Sequence, residues 1–122
     1  MKPGKTGLAR LIAATGYSLK GLKASWQHET AFRQEVALII VMFPASFFVA
    51  KTTIQWLLLI SPLFLLLMVE LLNSAVEAIV DRIGPEHHEL SGRAKDIASA
   101  AVMFCLFFIA ISWGVVAWIN FA

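Results

Sequence analysis

A single cysteine, Cys105, stands among these 122 residues, so no disulfide can form within the chain. It lies in an apolar stretch with nothing basic near it in sequence, which suits an inert core thiol better than a nucleophile. Charge is scarce too. Only 15% of residues are Asp, Glu, Lys or Arg, 59% are hydrophobic and the mean hydropathy is +0.77. A soluble domain carries roughly a quarter charged residues, so this surplus of apolar surface needs lipid. Phosphate-binding loops are missing as well: there is no Gly-x-x-x-x-Gly-Lys-Ser/Thr and no Gly-x-Gly-x-x-Gly, which excludes the familiar nucleotide folds. No internal repeat or low-complexity linker divides the chain, and residues 1–122 read as one membrane-embedded domain.

What is present is a set of charge-free runs, Val36 to Ala50, Thr52 to Val69 and Ile97 to Ala122. About 20 mostly apolar residues cross about 30 Å of hydrocarbon as a helix. The third run is long enough outright, the second if its helix continues through Glu70, and the first if it borrows flanking residues such as Phe32. Three transmembrane helices are expected, over about 30–50, 54–83 and 92–121. Pro44 and Pro62 fall inside them, and membrane helices tolerate proline. Basic residues set the expected topology. Lys2, Lys5, Arg10, Lys20, Lys23 and Arg33 precede the first span, and Arg82, Arg93 and Lys95 lie between the second and third. The N-terminus and second connection are therefore expected in the cytoplasm and the C-terminus in the periplasm. A cleaved signal peptide is not expected, because the apolar run begins late and follows an amphipathic segment.

That segment has Leu8, Leu11, Ile12, Thr15, Leu19, Leu22 and Trp26 at helical spacing, with Lys20 and Lys23 off the stripe. A helix lying in the membrane interface over about 6–27 is expected, basic side chains among anionic headgroups. It either tethers the chain or walls a site at the membrane surface. The four tryptophans, Trp26, Trp56, Trp113 and Trp118, are expected as interface anchors.

Glu70, Asn73, Glu77 and Asp81 follow one another in steps of three, four and four, which keeps them on one helix face. An ionised side chain at the bilayer centre costs roughly 2.5–3.5 kcal/mol on insertion scales. Such a ladder must face protein, water or a cation. Gly84 and Pro85 are expected to end this helix, with Gly84 as a left-handed cap, and Ser91 to cap the next. His87 and His88 are adjacent and diverge, so they are expected as loop residues and not as a metal pair. Acids thus meet Lys95 at one membrane boundary, with Glu29 approaching the same level. Glu29 and Glu77 could hold Mg²⁺ alongside phosphate oxygens. Lys95 could offset charge on a transferring phosphoryl group, and the deeper Glu70 could take a proton from a lipid hydroxyl. A hydrogen-bonded helix contact, or a proton relay in a small transporter, would use the same residue types.

The segment Glu70-Leu-Leu-Asn-Ser-Ala-Val-Glu-Ala-Ile-Val-Asp81 resembles the signature of the prokaryotic diacylglycerol kinase family, and His88-Glu-Leu-Ser-Gly-Arg-Ala-Lys-Asp96 resembles its second signature. Gly16-Tyr17-Ser18 and Ala31-Phe-Arg-Gln-Glu35 also sit where that family has them. The resemblance implies an all-α homotrimer that phosphorylates diacylglycerol with MgATP, giving phosphatidic acid at the bacterial inner membrane. It implies Glu70 as general base and Glu29 and Glu77 as carriers of the Mg²⁺ that accompanies ATP. Arg10, Tyr17, Glu29, Glu77, Glu86, His87, His88, Lys95 and Asp96 fall at nucleotide positions. Arg10, Ala14, Ala31, Phe32, Arg33, Gln34, Glu35, Glu70, Ser99, Trp113 and Trp118 fall at lipid positions, with Asn73 and Asp81 in support. Departures from the family pattern are His87 in place of tyrosine, Trp56 where related chains can carry arginine, and Thr15 and Leu19. An undecaprenol kinase would share the fold, and a proton-coupled transporter would share the acids but predict flux without ATP use.

Overall fold

The computed structural model describes residues 6–85 and 88–122. Over that range the chain forms four helices: α1 (Gly7–His28), α2 (Thr30–Val49), α3 (Thr53–Ile83) and α4 (Glu89–Phe121). The expected all-helical architecture is what forms. Helices α2, α3 and α4 are each long and apolar enough to cross a bilayer. In hydrocarbon every backbone polar group must be satisfied within its own segment, which leaves helix as the open-chain solution. Helix α3 is the spine: α4 packs along it, α2 packs on it less extensively, and α1 touches α2 and α3 only lightly. The core joins Leu63 and Leu66 of α3 to Cys105 and Ile109 of α4, with Ile39, Met42, Val102 and Trp113 packed around them. Cys105 is a buried free thiol in that core.

The joints carry most of the local chemistry. A single non-helical residue, Glu29 (φ −119°, ψ 108°), separates α1 from α2. Arg33 reaches back across this break. Its Nη1 donates to the Trp26 carbonyl at 2.5 Å and its Nη2 to Thr30 Oγ1 at 3.2 Å. A guanidinium thus occupies one of the carbonyls that a helix C-terminus leaves unpaired. At the start of α3, Thr52 Oγ1 accepts from the Gln55 N–H at 3.1 Å as N-cap.

Two cap expectations are corrected. Helix α4 starts at Glu89, not at the turn Ser91 would cap, because His88 Nδ1 accepts from the Leu90 N–H at 3.0 Å and serves as the N-cap. Gly84 ends α3 in an extended conformation (φ 162°, ψ 158°) and not in the left-handed one. The following proline restricts its predecessor to extended backbone.

Two tryptophans, both half-buried, bond to a neighbouring helix. Trp56 Nε1 donates to Ser46 Oγ at 3.0 Å, and its ring lies against Phe43 and Phe47. Trp113 Nε1 donates to the Leu59 carbonyl at 3.0 Å, next to the Leu58 carbonyl that Pro62 leaves without an N–H partner. An indole N–H in an apolar interior needs an acceptor, and both have found one on a neighbouring helix. Trp26 and Trp118 remain exposed.

Candidate active site

Helix α3 presents its acids at graded depth. Glu70 is 3% exposed and Asn73 9% exposed, whereas Glu77 is half-buried and Asp81 is exposed. The grading follows from α3 leaving the packed region as it runs past the core residues Leu63 and Leu66. Ser74 Oγ donates to Glu70 Oε2 at 3.3 Å, and Asn73 Nδ2 makes a long 3.5 Å contact with Glu77 Oε2. The Glu35 carboxyl on α2 lies within hydrogen-bonding reach of Glu70. Two buried oxygens, Glu35 Oε1 and Asn73 Oδ1, have no donor among the described residues.

At the outer end of α3, Lys95 Nζ of α4 lies 2.9 Å from Asp81 Oδ1. The same lysine is close enough for its charge to act on Glu77, as are Glu29 and Glu70. A cavity of about 390 Å³ opens here, lined by Asp81, Gly84, Pro85, His88, Ser91 and Lys95 among others. A second cavity, of about 640 Å³, lies between α1 and α3. Its walls are small residues, Gly21, Ala24 and Ser25 from α1 and Ser74, Ala75 and Ala78 from α3, with His28 and Glu29 at its side. Ser74 therefore belongs both to this apolar cavity and to the hydrogen bond on Glu70.

The expected site residues divide into groups. Glu29, Glu35, Glu70, Asn73, Glu77, Asp81 and Lys95 form one continuous chain of neighbours across α2, α3, α4 and the α1–α2 joint. His88 joins it through the smaller cavity, while Glu86 and His87 lie outside the described residues. Arg10 and Tyr17 stand exposed on α1, which makes no contact with α4 among the described residues, so one chain does not bring them to Lys95. Ala14 is half-buried on the same helix, and Asp96 and Ser99 are exposed on α4. Of the segment 31–35, Phe32 is buried, Arg33 is engaged with α1, and Ala31 and Gln34 are exposed. Trp113 bonds to Leu59, eleven residues and about 16 Å along α3 from Glu70, and Trp118 lies further on.

Sequence reasoning passed over Ser74 and the small-residue walls. Their signal is a recurrence of Gly, Ala and Ser at helical spacing on two segments, which becomes a cavity only when the two helices face each other. Among the described residues no three His, Cys, Asp or Glu side chains form a group that could hold a metal ion. The Glu29–Glu77 pair nevertheless fits Mg²⁺ bound with a nucleotide, which takes one or two carboxylates and completes its shell with phosphate oxygens and water.

Comparison with known proteins places these residues in context. Residues 16–117 match the family described as prokaryotic diacylglycerol kinase. The chain is 53% identical to a diacylglycerol kinase of Haemophilus influenzae over 109 residues, covering 89% of this chain and 92% of that one. It is 47% identical to a diacylglycerol kinase of Escherichia coli K12 over 121 residues, 99% of each chain. A diacylglycerol kinase of Pseudomonas aeruginosa is 46% identical over 113 residues, 93% of this chain and 92% of its own length.

Proposed function

The chain belongs to the prokaryotic diacylglycerol kinase family, and we propose that it transfers the γ-phosphate of MgATP to the free hydroxyl of diacylglycerol, giving phosphatidic acid at the cytoplasmic face of the inner membrane. The observation that carries this reading is the position of Glu70. It is a buried carboxyl on a membrane helix, hydrogen-bonded to a serine that lines an apolar cavity, with a lysine and further carboxyls toward the polar end of the same helix.

In this reading the cavity between α1 and α3 takes the glycerol end of the lipid, its apolar small-residue walls accepting the start of the acyl chains. Glu70 is the general base for the lipid hydroxyl. Glu29 and Glu77 hold Mg²⁺, which neutralises charge on the nucleotide phosphates when bound. Lys95 offsets charge that develops on the phosphoryl oxygens, and Asp81 and Asn73 orient Lys95 and Glu77 through their 2.9 Å and 3.5 Å contacts. Arg10, Tyr17, His88 and Asp96 contact the nucleotide.

The exposed apolar residues of α1, among them Leu8, Leu11, Ile12 and Leu19, lie in the cytoplasmic interface of the bilayer. Helices α2 to α4 also leave large apolar side chains uncovered. We include in the proposal a homotrimer whose neighbouring chains cover part of this surface and bring Arg10 and Tyr17 to the phosphate site.

The test is ATP-dependent phosphorylation of diacylglycerol by purified protein in mixed micelles, with undecaprenol in parallel and Glu70→Gln as control. Mg²⁺-dependent turnover of diacylglycerol, lost in Glu70→Gln, is the expected result. Turnover of undecaprenol alone would reassign the substrate, and turnover of neither lipid by folded protein would overturn the reading.

A further inference from the structure

Packing does little to fix the direction of α1. Of its 22 residues only Ser25 is buried, and the helix touches α2 and α3 lightly. Its apolar residues Leu8, Leu11 and Leu19 are exposed. Such a stripe holds a helix flat in a membrane interface but leaves it free to swing within that plane. What remains to set its direction is the joint with α2, where Glu29 is the single non-helical residue.

Arg33 bridges that joint. Its Nη1 donates to the Trp26 carbonyl of α1 at 2.5 Å, and its Nη2 donates to Thr30 Oγ1 of its own helix at 3.2 Å. Its backbone N–H donates to the Glu29 carbonyl at 3.3 Å, and the Glu29 N–H donates to the Ser25 carbonyl at 2.9 Å. A guanidinium is a rigid planar fork, so two acceptors on either side of the break fix its orientation as well as its place. Charge-assisted bonds are also the stronger kind. Arg33 pairs with no carboxylate among the described residues, so its charge acts on the joint. We infer that Arg33 is a positioning residue: its guanidinium clamps the angle between α1 and α2 and so holds α1 as the wall of the cavity facing α3. This rests on the proposed reading of that cavity as the place of the lipid.

The clamp acts through a lever. Gly21 and Ser25 of α1 stand across the cavity from Ser74 and Ala78 of α3, and Glu29 lines it beside the joint. Gly21 lies eight residues, about 12 Å, along the helix from Glu29. A swing of about 10° at the joint therefore moves Gly21 by about 2 Å and leaves Glu29 nearly in place. Loosening the clamp deforms the lipid wall far more than the residue proposed to hold Mg²⁺.

Hydrogen exchange read by mass spectrometry on the whole protein in micelles tests the clamp, alongside the KM for each substrate. Arg33→Met keeps the aliphatic stem and loses every donor. Its amides around the joint are expected to exchange at least about tenfold faster, with α3 and α4 unchanged. Its kcat/KM for diacylglycerol is expected to fall about tenfold to a hundredfold, chiefly through KM, with the KM for MgATP moving much less. Arg33→Lys, which retains one charged donor, is expected to recover part of both effects. Thr30→Val removes one acceptor and leaves the guanidinium, so it is expected to shift both readouts the same way by a smaller factor. A raised KM for diacylglycerol with unchanged exchange at the joint would mean that Arg33 contacts the lipid itself, and would overturn the clamp. Faster exchange with an unchanged KM would overturn the positioning role and leave the kinase standing. A wild type that phosphorylates no lipid would overturn the kinase reading and the positioning role with it, whatever the exchange shows.

Discussion

Lys95 Nζ and Asp81 Oδ1 lie 2.9 Å apart, joining the first turns of α4 to the last turns of α3 across the smaller cavity. Both side chains are substantially exposed, at 43% and 68% of their side-chain surface. Exposed pairs of this kind contribute little to folding. Asp81→Asn is therefore expected to leave the unfolding midpoint nearly unchanged, while Lys95→Met is expected to lower kcat on the order of 10²-fold or more through lost phosphoryl stabilisation. Thermal unfolding and steady-state kinetics on the same preparations separate the two effects.

Asn73 reaches Glu77 from one turn away on α3. If Glu77 carries Mg²⁺, a chelator abolishes turnover and added Mg²⁺ restores it. Outer-shell partners of metal ligands typically matter by 10–100-fold in metal affinity. Asn73→Ala is accordingly expected to raise the Mg²⁺ concentration for half-maximal activity by at least about tenfold. A magnesium titration at fixed ATP checks this, and an unchanged midpoint would remove Asn73 from the metal site.

Gly21 lines the apolar cavity, and a Cβ built on it meets nothing within 4 Å. Replacing a helix-interior glycine by alanine gains about 0.5–1 kcal/mol. Gly21→Ala is thus expected to be tolerated or mildly stabilising, whereas Gly21→Phe fills the space the lipid is proposed to enter. The expected signature is a raised KM for diacylglycerol with the KM for ATP unchanged. Equal changes in both would place the lipid elsewhere.

At the opposite end of α3 the chain is tied by Asn120. Its Nδ2 donates to the Val49 carbonyl and to Gln55 Oε1, each at 2.8 Å, its Oδ1 accepts from Gln55 Nε2 at 3.2 Å, and its carbonyl accepts from Lys51 Nζ at 2.9 Å. Removing such a partner leaves half-buried polar groups unpaired, at about 1 kcal/mol, the low end of the range for buried groups. Asn120→Ala is expected to lower stability by roughly that amount. Gln55 is fifteen residues, about 22 Å, along α3 from Glu70, so turnover per folded molecule is expected to hold. Unfolding in denaturing detergent and active-site-normalised kinetics provide the two readouts.

The helices were legible because their cause is local. Charge-free runs need lipid, lipid demands internally bonded backbone, and a period near 3.6 aligns Glu70, Asn73, Glu77 and Asp81 whatever the rest of the chain does. Local caps were less legible. A serine at 91 and a histidine at 88 can both cap α4, and the winner depends on how the connection leaves Gly84, where Pro85 imposes extended backbone. The hydrogen-bond partners of the tryptophans were not legible for a related reason. An indole N–H suits the membrane interface or a carbonyl on a neighbouring helix equally well, and only the packing of α4 on α3 sets Trp113 beside Leu59.

By itself, then, the sequence determined the membrane helices, the face that carries the acids and the membership of a kinase family, because each is written in residues close together or in motifs read along one segment. Tertiary structure decided what crosses between helices. It put Glu35 against Glu70 from thirty-five positions away, paired Lys95 with Asp81, and turned small residues on α1 and α3 into a cavity. Those contacts depend on the axial register of one helix against another. Register is set by the summed fit of many side chains, such as Leu63 and Leu66 against Cys105 and Ile109, and no single residue in the sequence announces it.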